Sequence, residues 1–481
     1  MSTKQKIVVV GNGMVGHYFV DQLAAQAEQT VEVTVLAQEA RLAYDRVHLS
    51  EYFAGKSAEQ LALTSETYYQ SLGIHYHLNS QVEQIDKQAK TVTTCQGKTF
   101  AYDKLVLATG SYPFVPPIPG KERNNCFVYR TIEDLDQIKT AADTAKVGLV
   151  IGGGLLGLEA ANALKQLGLK THVVEFAPQL MPTQIDIGGG RQLKKKIEEL
   201  GVEVHTQKAT SEIVDGETCV HKLVFSDGSE IETDIVLFSA GIRPQDTLAR
   251  QFELAIGERG GIEINDQCQT SDQDIYAIGE CALWQQRIFG LVSPGYTMAR
   301  VAVADILNKA MQFKGADMST KLKLMGVDVG SIGDAHARTP NAQTFSYENP
   351  QTGVYKKVVT NASCSKLIGA VLIGDTTEYD NLLQYCLQGI EIPANPASLI
   401  VPSLQDEPEN PADKMDDSTL VCVCNMVTKG DLVKAISEGN DTVVALKSCT
   451  KASTSCGTCV NMVQNVIDSE MAKLSIEVVY S

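Results

Sequence analysis

The sequence predicts an α/β fold with two doubly wound parallel sheets, followed by a small α+β unit and a short helical module. Three observations support this prediction. An apolar strand, a glycine-rich turn, a helix and a second apolar strand follow one another twice, from residue 6 and from residue 147. Short alternating strands occupy 322–375. Five of the 12 cysteines lie beyond residue 420.

The first repeat opens with an apolar strand at 6–10 and continues into a helix to about Leu23. In such a turn the first glycine permits tight reversal, the second lets the backbone approach a pyrophosphate, and the third lets helix and strand pack. The free N–H groups of the helix attract the phosphates. Because the turn joins a strand to a helix, it predicts a dinucleotide site rather than a ligand-free turn. Its predicted contacts are Gly11, Gly13, Met14 and Gly16.

The second repeat has the same order, with strands at 147–151 and 170–175. Its last strand ends in Glu175, whose carboxylate can accept hydrogen bonds from a ribose 2′-hydroxyl and would repel a 2′-phosphate. No arginine follows within 176–181, so NADH is favoured over NADPH; the alternative is a solvated charge at a strand end. The predicted contacts of this turn are Gly152, Gly154, Leu155 and Gly157.

Two dinucleotide folds in one chain imply two dinucleotides, and the economical pair is a flavin that stays bound and a nicotinamide that exchanges. Further apolar runs add strands to these folds. They end at Gly110, Gly241 and Gly279.

Composition narrows the classes of function. The net charge of −17 over 481 residues argues against nucleic-acid binding and against docking on an anionic membrane. No apolar run is long enough to cross a bilayer, and the N-terminus shows no signal peptide. We therefore expect a cytoplasmic protein, in which clustered cysteines are metal or redox ligands rather than disulfides.

The motifs at 108–110 and 276–280 resemble those of the FAD-dependent pyridine nucleotide reductase superfamily. Within it, the chain is similar to the N-terminal half of the large subunit of bacterial NAD(P)H-dependent nitrite reductases. The segments that carry this closer similarity are 42–50, 110–113, 128–134, 152–160, 278–281 and 447–454.

The resemblance implies further site residues. Glu280 would hydrogen-bond the ribityl chain of FAD. Gln38 and Glu39 would both lie at the adenosine ribose, where Glu39 would supply the acidic contact. Glu159 would lie near the nicotinamide, although an acid there also suits the helix dipole. The other flavin-contacting positions implied are Arg46, Val82, Thr109 and Arg130, and surface salt bridges are the alternative for the two arginines.

Disulfide reductases of this superfamily carry a redox cysteine in the loop after the second strand, but residues 46–53 contain none. Electrons from a reduced flavin must therefore leave by another route. Four of the five C-terminal cysteines have a spacing that resembles that of the [2Fe-2S] domain of bacterioferritin-associated ferredoxin, and zinc or free thiols are the alternatives. Cys449 is interpreted as a non-ligand. The predicted ligands are Cys422, Cys424, Cys456 and Cys459.

These parts predict electron transfer from NADH through FAD to the cluster. The chain lacks the further cysteines of the sirohaem and [4Fe-4S] region that the resemblance implies. Either it delivers electrons to a separate electron-accepting sirohaem or molybdenum reductase subunit, or it is the N-terminal part of a divided or shortened enzyme. The function would be nitrite reduction or, alternatively, electron supply to an assimilatory nitrate reductase. An NADH-responsive redox sensor is the alternative of another class, and a thiol reductase or NADH oxidase is disfavoured. A homodimer is compatible with the resemblance.

The predicted organisation has two dinucleotide-binding domains, a small α+β interface domain and a C-terminal helical [2Fe-2S] domain. Residues 1–117 and 247–312 would form the FAD-binding domain and 118–246 the NAD-binding domain. The interface domain would span 313–401. A Pro-rich acidic linker at 402–418 would precede the cluster domain at 419–475.

Overall fold

A computed structural model describes residues 4–27, 30–401, 410–455, 457 and 459–479. These residues fall into two compact units. The first contains the described residues up to Val174 together with Lys208–Asp317. The second contains Glu175–Gln207 and the described residues from Met318 onward. Among the described helices, none combines the length and the apolar character needed to cross a bilayer.

The first unit begins with the strand–turn–helix–strand order that the sequence predicts. Strands β1, β2, β3 and β7 are parallel neighbours in one sheet. Nearly all apolar residues of β1, β2 and β7 are buried, because helices cover a parallel sheet. Strands β4, β5 and β6 form a separate antiparallel sheet. The elements are β1 (Gln5–Val10), α1 (Met14–Gln26), β2 (Val31–Leu36), α2 (Ala58–Leu61), α3 (Glu66–Ser71), β3 (His75–His77), β4 (Val82–Asp86), β5 (Thr91–Thr94), β6 (Thr99–Ala101), β7 (Lys104–Leu107) and β8 (Ser111–Pro113).

A second parallel sheet follows, and within the first unit its strand order is β11-β10-β16-β9. Strands β13, β14 and β15, which precede β16 in the chain, form a separate antiparallel sheet. Helix α6 and strand β12 belong to the second unit. The elements are β9 (Cys126–Val128), α4 (Ile132–Ala142), β10 (Val147–Ile151), α5 (Leu155–Gln166), β11 (Lys170–Glu175), α6 (Ile187–Glu199), β12 (Val202–Thr206), β13 (Thr210–Asp215), β14 (His221–Phe225), β15 (Glu230–Thr233) and β16 (Ile235–Phe238).

The chain then returns to the first sheet. Strand β19 pairs in parallel with β7 and completes the order β19-β7-β1-β2-β3, so the first domain is built from two separate stretches of chain. Helix α8 packs against α1. The elements are β17 (Ile242–Pro244), α7 (Thr247–Gln251), β18 (Ile262–Ile264), β19 (Ile275–Ala277), β20 (Ala282–Trp284) and α8 (Val292–Ile306).

The second unit contains the expected antiparallel sheet, in the order β21-β22-β25-β24-β23. Helix α6 packs on this sheet, and Asp186, which caps α6, accepts hydrogen bonds from Lys357 Nζ at 2.6 Å and Tyr355 OH at 2.8 Å. The elements are β21 (Thr320–Leu324), β22 (Val327–Gly333), β23 (Gln343–Asn349), β24 (Val354–Thr360), β25 (Leu367–Ile373) and α9 (Tyr379–Gln388).

The C-terminal module is a short hairpin followed by three helices around a small apolar core. Its elements are β26 (Leu420–Cys422), β27 (Val427–Thr428), α10 (Lys429–Ser437), α11 (Val443–Thr450) and α12 (Val460–Val479). The prediction of two doubly wound domains, an α+β unit and a helical module is confirmed.

The predicted linker at 402–418 differs from the structure in its second half, and residues 402–409 lie outside the described residues. A 3₁₀ turn at Pro411–Lys414 packs into the C-terminal module, with Ala412 fully buried. Asn410 caps this turn, and its Nδ2 donates to the carbonyl of Asn465 at 2.7 Å. The polar and proline-rich composition indicates a linker. In the structure, the Asn410 cap and the buried side chains of Ala412 and Met415 anchor these residues.

Candidate functional site

The first glycine turn has the geometry that a dinucleotide site needs. Gly11 has a φ of +108°, and a Cβ there would collide with the Ala108 carbonyl oxygen. A Cβ on Gly16 would collide with the Gly11 carbonyl, so this glycine serves packing. Gly13 precedes α1, and a Cβ there would meet nothing within 4 Å. Because Gly13 has no side chain, the N-terminus of α1 is open to the space in front of it.

That open space belongs to a cavity of about 830 Å³ in the first unit. It brings together residues predicted from widely separated parts of the chain. Gly16 and Gly241 are not among its lining residues. The predicted residues that line it are Gly11, Gly13, Met14, Gln38, Glu39, Arg46, Val82, Thr109, Gly110, Arg130, Gly279 and Glu280.

One charged cluster lies after β2. Glu39 forms an ion pair with Arg46 and accepts a hydrogen bond from Tyr44 OH at 2.8 Å. Arg46 also donates to the carbonyl of Arg130 at 3.2 Å. This ion pair lines the cavity rather than the outer surface, so the guanidinium is held in place for a ligand.

A second charged cluster lies where β7 and β19 end. The Glu280 carboxylate accepts from Arg130 Nη2 at 2.8 Å and from Ser111 Oγ at 2.5 Å. Arg130 also donates to Ser111 at 2.9 Å. The two oxygens of a carboxylate have about four acceptor positions, so Glu280 retains capacity for a ligand hydroxyl.

Sequence reasoning missed a polar chain behind the glycine turn. Asn12 lies inside the turn, and its Oδ1 accepts from Tyr69 OH at 2.9 Å. Tyr69 OH lies 3.0 Å from His17 Nδ1, which must donate because the phenol proton is already used. Among the described residues, Asn12 Nδ2 has no hydrogen-bond partner although it is buried and borders the cavity. The only sequence signal was an asparagine between two glycines.

These features fit a dinucleotide. The cavity lies within the range of volumes usual for cofactor sites. It offers a helix N-terminus for phosphate, the buried Asn12 amide as an unused donor, and the Glu39 carboxylate at the end of β2. No described lining residue is a cysteine.

The second glycine turn repeats the first. Gly152 has a φ of +121°, and a Cβ there would collide with the Ser239 carbonyl oxygen. A Cβ on Gly157 would collide with the Gly152 carbonyl, and Gly154 opens onto empty space ahead of Leu155 and α5. The backbone N–H of Gly152 donates to Val174 at 2.8 Å, so the turn is tied to the strand that ends in Glu175.

The Glu175 side chain bonds to the backbone just after the end of β11. One of its carboxylate oxygens accepts from the backbone N–H of Ala177 at 2.7 Å. This bond fixes the side chain at the strand end.

Glu159 lies one turn into α5 and is mostly buried. Burial raises the pKa of its carboxyl to about 7, against a smaller opposing effect from His48. Burial, with a smaller contribution from the Glu159 charge, raises the pKa of Tyr129, whose buried hydroxyl has no partner among the described residues.

Three of the four predicted cluster ligands lie in the described part of the C-terminal module. Cys422, Cys424 and Cys459 are 2%, 7% and 9% exposed and belong to one core. Cys456 lies outside the described residues. Cys449 is exposed on α11. Soft thiolates held by two short segments suit an iron–sulfur cluster or zinc.

Three protein families match the sequence. Residues 5–305 match the pyridine nucleotide-disulphide oxidoreductases, 319–390 the rubredoxin NAD+ reductase C-terminal domain, and 420–469 the BFD-like [2Fe-2S] binding domain. The predicted cofactors FAD, NAD(H) and [2Fe-2S] are those of the first and third families.

The NADH nitrite reductase large subunit of Escherichia coli K12 is 52% identical over 99% of this chain and 57% of its own length. The assimilatory nitrate reductase electron transfer subunit of Bacillus subtilis 168 is 34% identical over 96% of this chain and 59% of its own length. The chain thus spans little more than half of these relatives.

Among solved structures, the NAD-dependent persulfide reductase of A. fulgidus has a TM-score of 0.73 and 25% identity, covering 80% of this chain and 77% of its own. The first family spans more than half of the chain, and the expected resemblance to the N-terminal part of nitrite reductase large subunits is confirmed. The chain therefore belongs to the pyridine nucleotide-disulphide oxidoreductase family, with a [2Fe-2S]-binding domain added at its C-terminal end.

Proposed function

We propose that the chain is an NADH-dependent FAD and [2Fe-2S] oxidoreductase that passes electrons toward nitrite reduction. One observation carries the proposal. The first unit holds a cavity beside the first glycine turn with no cysteine among its described lining residues, and the same chain carries buried cysteines in a [2Fe-2S]-binding domain. A flavin in that cavity would have no adjacent thiol to reduce, so the cluster domain is the available exit.

The first unit would hold FAD through its own polar groups. The α1 N-terminus and Asn12 Nδ2 would face the pyrophosphate, and Glu39 the adenosine ribose. The Glu280 carboxylate, fixed by Arg130 and Ser111, would accept from the ribityl chain. When bound, FAD accepts a hydride and a [2Fe-2S] cluster carries single electrons.

The second turn would hold NADH. Gly154 leaves the α5 N-terminus open for the pyrophosphate, and Glu175 would accept from the ribose 2′-hydroxyl. Glu159 would hold or release a proton beside the nicotinamide. Its ionised form would favour the positive ring of the oxidised nucleotide, because opposite charges attract more strongly in a buried site.

The acceptor we propose is a sirohaem-containing nitrite reductase subunit or domain, since a relative at 52% identity is named as a nitrite reductase large subunit. A molybdenum-containing nitrate reductase is the second candidate, favoured by the electron transfer subunit at 34% identity. A cytoplasmic location and a homodimer remain predictions.

The test is an anaerobic titration of the full chain with NADH after iron reconstitution, followed by visible spectroscopy and by iron analysis. We expect flavin bands near 450 nm and a broader iron–sulfur absorption, both of which NADH bleaches. The matched pair Cys424→Ala and Cys449→Ala separates a buried predicted ligand from an exposed cysteine in the same module. Only the first should lose iron.

Four other results would contradict the proposal or its ligand assignment. Zinc in place of iron makes the module structural. If NADH reduces the flavin while the cluster stays oxidised, the cluster is not the exit route for the electrons. If reduction is slow and a partner binds only one redox state, the protein is a redox sensor instead. If Cys449→Ala loses iron and Cys424→Ala does not, the ligand set is wrong.

A further inference from the structure

Asn425 ties together the two cysteine-bearing segments of the C-terminal module. It directly follows Cys424, and its Nδ2 donates to the carbonyl of Lys451 at 2.6 Å and to Thr454 Oγ1 at 3.1 Å. Its Oδ1 accepts from Ser455 Oγ at 3.2 Å. The segment 451–455 is therefore fixed against the loop that carries the first pair of predicted ligands.

Ser453 lies inside that fixed segment. It is 7% exposed, and its Oγ lies 2.9 Å from Cys459 Sγ. Its φ of +60° is in the left-handed region, where glycine is the least strained residue. A serine at this position has a backbone cost that glycine would avoid, which points to a role for the hydroxyl itself.

We propose that the Ser453 hydroxyl donates a hydrogen bond to the cluster-ligating sulfur of Cys459 and thereby raises the reduction potential of the [2Fe-2S] cluster. This inference rests on the proposed function, because it requires a cluster at Cys459. A ligating thiolate has no proton, so the hydroxyl must be the donor. One added electron makes the sulfur more negative, and the hydrogen bond then stabilises the reduced state more than the oxidised state.

Burial strengthens this effect. Both atoms lie within the core of the module, where water competes little for the sulfur. The Asn425 contacts hold the serine in reach of the sulfur in both oxidation states. The hydroxyl keeps its proton throughout, so the potential should depend little on pH through Ser453.

The experiment compares Ser453→Ala, Ser453→Gly and Ser469→Ala in the full chain. Both Ser453 variants remove the hydroxyl, and glycine also suits the positive φ, which separates the loss of the hydrogen bond from backbone strain. Ser469 is the matched control, because it is a buried serine of the same module whose hydroxyl donates to Asp413 instead of a sulfur. Iron and sulfide content are measured with the cluster midpoint potential in an anaerobic redox titration.

We expect a tenfold rise in the ratio of oxidised to reduced cluster at a given potential in both Ser453 variants. For a one-electron couple this is a shift of about 59 mV to more negative potential. Ser469→Ala should match the parent. An unchanged potential in both fully loaded Ser453 variants overturns the inference and leaves the proposed function standing. If neither variant retains iron that the control retains, Ser453 serves assembly and potential tuning is rejected. A parent chain that binds no cluster overturns the proposed function itself.

Discussion

The two glycine turns have almost the same backbone, yet their surroundings differ. At the first, Gly11 meets the Ala108 carbonyl, and at the second, Gly152 meets that of Ser239. The first turn opens onto a cavity with paired charges already in position, as at Glu280. Beside the second turn, the notable group is Glu159, a buried carboxyl whose pKa burial raises to about 7. The two turns thus share their backbone geometry, and the side chains beside them differ.

The largest expected effect comes from adding one methyl group to each turn. Gly11→Ala and Gly152→Ala both place a Cβ against a carbonyl oxygen at a positive φ, where alanine is strained. We expect Gly11→Ala to lose nearly all bound FAD. Gly152→Ala should retain FAD and lose at least tenfold in the rate at which NADH reduces it. Flavin-to-protein ratio and stopped-flow absorbance measure the two effects.

Photoreduction of the flavin supplies the control for that pair. It should still reduce the Gly152→Ala flavin at the parent rate, since it bypasses NADH. If Gly152→Ala loses flavin and Gly11→Ala keeps it, the assignment of the two turns is reversed.

The next largest expected effect is on the free energy of unfolding, when Glu159 is replaced by glutamine. Between pH 4.5 and 7 the folded chain holds a proton on Glu159 that the unfolded chain has released. Stability from this group is therefore lost as pH rises through that window. Glu159→Gln should remove the loss and raise the free energy of unfolding above pH 7 by up to about 3 kcal/mol. The measurement is denaturant unfolding between pH 5 and 8.

Glu258→Gln is the control for this stability profile, because Glu258 is an exposed acid of the same unit. It should leave the pH profile unchanged. A Glu159→Gln profile parallel to that of the parent would show that this carboxyl is ionised throughout and would remove it as the distinguishing group of the second turn.

Glu175 tests nucleotide choice at the second turn. Glu175→Ala removes an acceptor for the ribose hydroxyl and a repulsion against a 2′-phosphate. We expect the preference of kcat/KM for NADH over NADPH to fall about tenfold, equivalent to about 1.4 kcal/mol. Flavin content should not change. An unchanged preference would make Glu175 a strand-end charge held by the N–H of Ala177.

Sequence alone predicts those features of the fold and of the candidate site that depend on residues close together in the chain. The glycine turns are local, since strand, turn and helix lie within about 20 residues. Other cavity residues, such as Arg46, Arg130 and Glu280, were implied by the resemblance and not by a local pattern. The contact of Tyr69 with Asn12 joins residues 57 positions apart, and no local pattern announces it. The anchoring of Asn410 to Asn465 spans 55 positions, so composition indicated a linker where the chain packs.

The smallest expected effect tests that missed contact. Tyr69→Phe removes the hydroxyl that links His17 to Asn12, leaving the Asn12 amide without its orienting bond. A typical hydrogen bond contributes about 1 kcal/mol, so FAD should bind about fivefold more weakly. Tyr68→Phe is the matched control, because its exposed hydroxyl bonds to Asp21 away from the turn. Equal FAD affinity in both variants would mean that the backbone of the first turn positions the pyrophosphate without help from Asn12. The first turn would then resemble the second more closely, and the tighter hold on FAD that we propose for it would have to come from the paired charges alone.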